Sequence, residues 1–236
     1  MNPYKSPSSE EQTGDLQPHA TPGRSPRLLR IGLGLVLYAS IVLSAAMVIG
    51  RTVLADIQGR PAHWILGVGV FVPFGVRLAG QLLCTLVASD RRGTVSGCCA
   101  VLFQSLAMAC LVVGVWRPPT LIYLQVEYGT DFSTLGMHLF AFASLSAFAF
   151  QLSWLSAAYT AKQPKLSTIA AATLTSSTLL MVVGLIGSVT RYSADPAGYQ
   201  PGIFMLLLAL GLVGALGGFV MLLIVIHGTR RLLNVG

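Results

Sequence analysis

Arg77 is the residue whose type and position most demand a chemical explanation. It stands inside an apolar run from 63 to 88, where a charged group near a helix centre costs about 2.5 to 3.5 kcal/mol on insertion scales. No Asp or Glu falls within any apolar run of the chain. The guanidinium must therefore meet amides, hydroxyls, carbonyls, water, lipid phosphate or an anionic ligand. Gln81 follows one helical turn on, along the same face. Counting about 1.5 Å per residue from the helix ends, Gln104 and Gln151 fall at a similar depth, as do Tyr38, Ser40 and Thr175-Ser176-Ser177-Thr178. The pattern predicts a polar pocket or pathway in mid-membrane, built from Arg77, Gln81, Gln104 and Gln151, that selects an anionic or strongly hydrogen-bonding small molecule. Pro73 and Gly75 stand just before Arg77, where a missing backbone bond and a flexible residue favour a kink and a freed carbonyl. A second reading has the long run shift outward so that Arg77 snorkels to headgroup phosphates, with the Gln, Ser and Thr groups acting as interhelical glue.

Other reactive residues are not arranged for chemistry. The apolar runs hold no carboxylate pair, no Gly-x-Ser-x-Gly elbow, no His-Glu-x-x-His and no histidine facing a nucleophile. An enzyme is thus disfavoured, and no cofactor is implied. Cys84, Cys98, Cys99 and Cys110 all lie within runs, without zinc-site spacing, and are expected as small packing residues. His63 and His138, with Glu127 and Asp131 in the loop between, offer a metal site or pH-sensitive outer gate only in spacing that matches no metal motif. A paired-histidine haem fares no better, because both rings belong to run ends.

These residues are positioned by a chain that is 54% hydrophobic and 10% charged, against roughly 25% charge in an ordinary soluble domain. Six runs are each long enough to cross a hydrocarbon core of about 30 Å: 29–50, 63–88, 95–116, 137–160, 168–189 and 202–226. They are continuous rather than alternating, which argues against a membrane β-barrel and for helices. The expected fold is an all-α, six-helix transmembrane bundle over residues 28–228.

Basic residues set the expected orientation. Lys5, Arg24, Arg27, Arg30, Arg91, Arg92, Lys162, Lys165, Arg230 and Arg231 fall on one side of the alternating spans, and Arg51, Arg60, Arg117 and Arg191 on the other. The excess places both termini in the cytoplasm. Trp64, Trp116, Tyr159 and Tyr192 at span ends suit rings at headgroup level. The positive balance is explained by this topology and by anionic lipid, so nucleic acid is not a partner.

Residues 1–27 carry prolines at 3, 7, 18, 22 and 26 with few apolar side chains, and are expected to be a disordered tail. A short basic tail covers 229–236. The start, Asn2-Pro3-Tyr4-Lys5-Ser6-Pro7, resembles the opening of uncharacterised bacterial multi-spanning membrane proteins. That resemblance implies a bacterial cytoplasmic membrane and no particular activity. A cleavable signal peptide ending near Ser44-Ala45-Ala46 is the rival to a retained first span, which the long lead favours.

Loop 117–136 is the longest connection and is too apolar for disorder, so a cap over the outer face or an amphipathic connector is expected. Gly211, Gly214 and Gly218, and likewise Ala149, Ser153 and Ala157, form small-residue faces suited to close packing within the monomer or between copies. Short matches such as Val36–Ser40 with Val101–Ser105 hint at repeated hairpins. Two functions are compatible with the whole pattern: a small transporter or ligand-binding bundle centred on Arg77, or a structural or assembly subunit of a membrane complex or homo-oligomer.

Overall fold

A computed structural model describes residues 26–52, 60–88, 90–116, 132–157, 163–194 and 202–233. These form six helices: α1 (Pro26–Thr52), α2 (Arg60–Val87), α3 (Arg91–Trp116), α4 (Phe132–Ala157), α5 (Gln163–Ala194) and α6 (Gly202–Leu232). All six are long and apolar enough to cross a membrane, and no strand occurs among the described residues. Each coincides with one of the apolar runs, because in hydrocarbon the backbone has no hydrogen-bond partner but its own helix. Most helices outrun the apolar stretch that defines them. At about 1.5 Å per residue, the 31 residues of α6 reach about 46 Å, well past a hydrocarbon core of about 30 Å. Helical geometry continues into the polar flanks because nothing in Thr229-Arg230-Arg231 stops it.

Successive helices pack against one another in antiparallel sequence from α1 to α6, with shorter contacts of α6 against α1 and α4. One end of the bundle therefore collects Arg27 and Arg30 of α1, Arg91 and Arg92 of α3, Lys165 of α5 and Arg230 and Arg231 of α6. We refer to it as the basic end. The helix ends opposite carry Arg51, Arg60 and Arg191. Large apolar side chains such as Val72, Leu86, Val213 and Ile224 are exposed on the outer surface. An outside so apolar is matched by lipid tails rather than water, and the protein is an integral multi-pass membrane protein.

Glycines bring backbones together at two helix pairs, and α3 and α4 also pack closely along their length. Gly32 of α1 faces Gly80 of α2 so tightly that a Cβ on Gly80 would lie 2.7 Å from the Gly32 carbonyl oxygen. Along α5 and α6, Gly211 abuts Met181 and the Ser177 carbonyl, Gly214 abuts the Ser177 hydroxyl, and Gly218 abuts Leu174. The small face of α6 is thus used inside the monomer, as van der Waals packing without a hydrophobic driving force requires. Ser44, Ala45 and Ala46 lie within α1. Residues 1–25, 53–59, 89, 117–131, 158–162, 195–201 and 234–236 lie outside the described set, and with them nearly all of the proline-rich tail, Glu127, Asp131, Tyr159, Lys162 and most of the loop 117–136. The C-terminal part of that loop, 132–136, is the first turn of α4.

The buried apolar residues fall into two clusters. The larger, toward the basic end, includes Leu29, Leu33, Val36, Leu37, Cys84, Ala100, Leu145, Phe148, Leu152 and Ile226. The smaller, toward the other end, is Leu43, Val70, Phe74, Ala107 and Met137. On each of α1 to α4 a short stretch separates the two clusters, and these stretches hold Ser40 on α1, Arg77 and Gln81 on α2, Gln104 on α3 and Ser144 on α4.

Candidate functional site

Arg77 belongs to that separating layer. It is 2% exposed, turned into the bundle and away from the helix ends. One Nη donates to the backbone carbonyl of Ala141 on α4 at 3.2 Å, and Cζ lies 5.9 Å from the Phe74 ring centroid. Its Nε is buried with no protein acceptor. Gln104 on α3 is 0% exposed, and neither its amide nitrogen nor its amide oxygen has a protein partner. The stacked pair Phe103 and Phe140, with centroids 6.4 Å apart, sets α3 level with α4 at this height. Ser40 on α1, between Leu37 of one apolar cluster and Leu43 of the other, also keeps a buried hydroxyl without a protein partner. Four of the six such atoms among the described residues are contributed by Ser40, Arg77 and Gln104, so unmet hydrogen bonding is concentrated at one level.

Two further rungs continue from Arg77 toward the basic end along the i, i+4, i+8 face of α2. Gln81 donates through Nε2 to the Ser144 hydroxyl at 3.0 Å, which itself donates to the Ala100 carbonyl at 2.9 Å. One turn further, Gln151 donates to the Thr85 hydroxyl at 3.2 Å, and that hydroxyl donates to the Gln81 carbonyl at 2.8 Å. Gly97 on α3 makes this rung fit, since a Cβ there would collide with Thr85 Oγ1 and Gln151 Nε2. The backbones of α2 and α4 do not pack closely along this face. Long polar side chains bridge the space between them.

The four residues expected to form the site are all buried on α2, α3 and α4, but they make a ladder instead of a single layer. Gln151 pairs with Thr85, two turns or about 12 Å along the helix axis from Arg77. Tyr38 does not face this region: it is 61% exposed and stacks on Arg230. The hydroxyl run of α5 is also elsewhere. Thr173, Thr175, Ser177 and Thr178 each donate to a carbonyl one turn back in α5, and Thr175 meets Ser146 of α4 on the far side of that helix. α2 passes through Pro73 as one continuous helix. Ser144, Thr85 and the Ala141 carbonyl were not distinguished by the sequence. Their one signal is spacing, since 141, 144, 148 and 151 are the positions by which α4 faces α2 and α3.

The arrangement presents a guanidinium inside an apolar bundle with no carboxylate beside it among the described residues. Asp90, in the short turn between α2 and α3, is the sole carboxylate among the described residues. The layer offers donors from Arg77 and both donor and acceptor from Gln104, closed on one side by Phe74, Val70, Ala107, Met137 and Leu43. Among the described residues no three His, Cys, Asp or Glu side chains gather as a metal site requires. His63 stands in the first turn of α2 and His138 in α4. The cysteines are free thiols, with Cys84 buried and Cys98 exposed. The chain matches no protein-family model, no curated protein and no solved structure.

Proposed function

We propose that this protein is a small transporter or ligand-binding membrane protein that takes an anionic or strongly hydrogen-bonding small molecule at the level of Arg77. The observation that carries this reading is the coincidence of the unmet hydrogen bonds of Ser40, Arg77 and Gln104 between two apolar cores. Burying a polar atom without a partner costs about 1 to 3 kcal/mol, and more for a charged group. A bundle selected only for stability would replace Gln104 with Leu or Met. The rungs at Gln81 and Gln151 carry polar groups from the Arg77 level through the larger apolar cluster toward the basic end, whose charge concentrates anions. Apolar clusters close the layer on both sides, as an occluded state of a two-sided transporter requires. With both termini in the cytoplasm of a bacterial cell, as the basic residues and the N-terminal resemblance suggest, the approach is from the cytoplasmic side.

The test is to reconstitute the full chain in vesicles and measure uptake, with thermal stability beside it, of labelled chloride, nitrate, acetate, lactate and phosphate. Wild type is compared with Gln104→Leu and Arg77→Leu. One solute of the panel is expected to be taken up by wild type and to lose about tenfold to a hundredfold in each variant, the scale of a hydrogen bond to a charged group. Gln104→Leu is expected to leave the thermal midpoint unchanged or raised. A lowered midpoint in Gln104→Leu, with no panel solute taken up or bound by wild type, would instead assign the layer to interhelical glue.

A further inference from the structure

A second arginine reaches toward the apolar part of the bundle, far from Arg77. Arg230, in the last turn of α6, crosses to α1, where its Cζ lies 5.3 Å from the Tyr38 ring centroid. Its guanidinium fills the space beside Gly34, so that a Cβ there would lie 3.3 Å from Nη2. Its Nε is buried without a protein acceptor. α1 and α6 meet only over a short stretch, which leaves a seam open to the surrounding lipid at this height. Tyr38 and, one turn on, Ile41 and Val42 line the α1 side of the seam and are exposed. Arg30 precedes Gly34 by one turn on the same face of α1, and it is exposed, as is Arg27. The seam therefore joins a headgroup-level cluster of positive charge to an apolar, lipid-facing strip.

We infer that the α1–α6 seam binds the phosphate of an anionic glycerophospholipid, with Arg230 and Arg30 as its donors and the acyl chains along Tyr38, Ile41 and Val42. The charge fits: no carboxylate among the described residues stands near Arg230, and Asp90 lies at the turn between two other helices. The shape fits as well. A soluble anion would use the arginines alone, whereas the exposed apolar strip directly beneath them matches the two-part chemistry of a lipid. Basic pockets between transmembrane helices at the headgroup level are where anionic lipids are held, and a planar guanidinium binds phosphate through two donors at once.

The full chain in phosphatidylcholine nanodiscs, with and without phosphatidylglycerol, tests this. Retained phosphatidylglycerol is counted by native mass spectrometry and its affinity read from titrated thermal stabilisation. Diffuse attraction is worth about fivefold per basic residue at the surface, and this is the most that Arg231→Gln should cost. Arg230→Gln is expected to cost about tenfold or more, because hydrogen bonds to charge are lost. Tyr38→Leu removes only the stacking surface and is expected to cost about twofold to fivefold. It serves as the deciding variant where Arg230→Gln fails to assemble. Equal losses for Arg230→Gln and Arg231→Gln, or an unchanged affinity in Tyr38→Leu, would overturn the inference. So would inorganic phosphate reproducing the stabilisation in pure phosphatidylcholine, which would identify a small-anion site.

Discussion

The two halves of the bundle solve the problem of packing helices in lipid in opposite ways. Between α5 and α6, glycines bring backbones together, and Thr173, Ser177 and Thr178 of α5 donate to carbonyls of their own helix. Between α2, α3 and α4, long polar side chains cross the space between helices, and at the Arg77 level several of their atoms find no protein partner. The first arrangement maximises contact, which is the main source of helix association when the solvent is as apolar as the side chains. The second leaves buried polar atoms unpaired at one level, at a cost in stability. A single membrane bundle thus contains one half built for cohesion and another that holds hydrogen-bonding capacity in reserve.

The comparison can be broken most forcefully at the glycines. In Gly211→Leu the new side chain would start 2.6 Å from the Met181 Cγ and 2.9 Å from the Ser177 carbonyl oxygen, one of them backbone that cannot yield cheaply. We expect a loss of about 3 kcal/mol, the upper range for overpacking, read as a lowered thermal midpoint of purified protein. Gly217→Ala is the control on the same helix, since nothing lies within 4 Å of its Cβ position, and it is expected to be neutral or stabilising by up to about 1 kcal/mol. Equal losses at both positions would mean that the α5–α6 interface is not the cohesive one.

The polar half should respond more weakly and in a different pattern. A double-mutant cycle across Gln81→Leu and Ser144→Ala should give a coupling of about 0.6 kcal/mol, with about 1.7 as a ceiling for interhelical hydrogen bonds in membranes. Thermal or chemical unfolding in detergent micelles measures it. Coupling near zero would show that this rung does not hold α2 to α4. Gln104→Leu, by contrast, is expected to cost no stability, which makes neighbouring glutamines on one ladder behave oppositely: one is tied to a partner and the other is not.

Much of this contrast was legible from residue types, and the part that was not has a physical reason. Six helices follow from hydropathy because lipid permits no other backbone solution. Arg77 and Gln104 were visible as polar groups in apolar runs, and both are buried. Depth was less legible. Counting from helix ends assumes that all helices end at one height, yet Gln151 pairs with Thr85 two turns from Arg77. Facing was hidden for the α5 hydroxyls, because α3, α4 and α5 carry almost no amphipathic signal. The Ala141 carbonyl has no side-chain signature at all, although it is the partner that holds Arg77.

The most discriminating comparison makes one substitution in both halves. Thr178→Val in α5 removes a hydroxyl that donates to the Leu174 carbonyl of its own helix. That carbonyl keeps its helical hydrogen bond, so the change should fall within about 0.5 kcal/mol of wild type. Thr85→Val in α2 removes a hydroxyl that donates to the Gln81 carbonyl and accepts from Gln151. The Gln151 oxygen is already without a protein partner, so the whole amide would be stranded, at a cost of about 1 to 2 kcal/mol. Unfolding measurements on the two isosteric variants compare the halves at constant volume, which separates hydrogen bonding from packing. If Thr178→Val were as damaging as Thr85→Val, the Thr178 hydroxyl would have to act between helices, and the division between a half that satisfies its own hydroxyls and a polar, partly unmet half would fail.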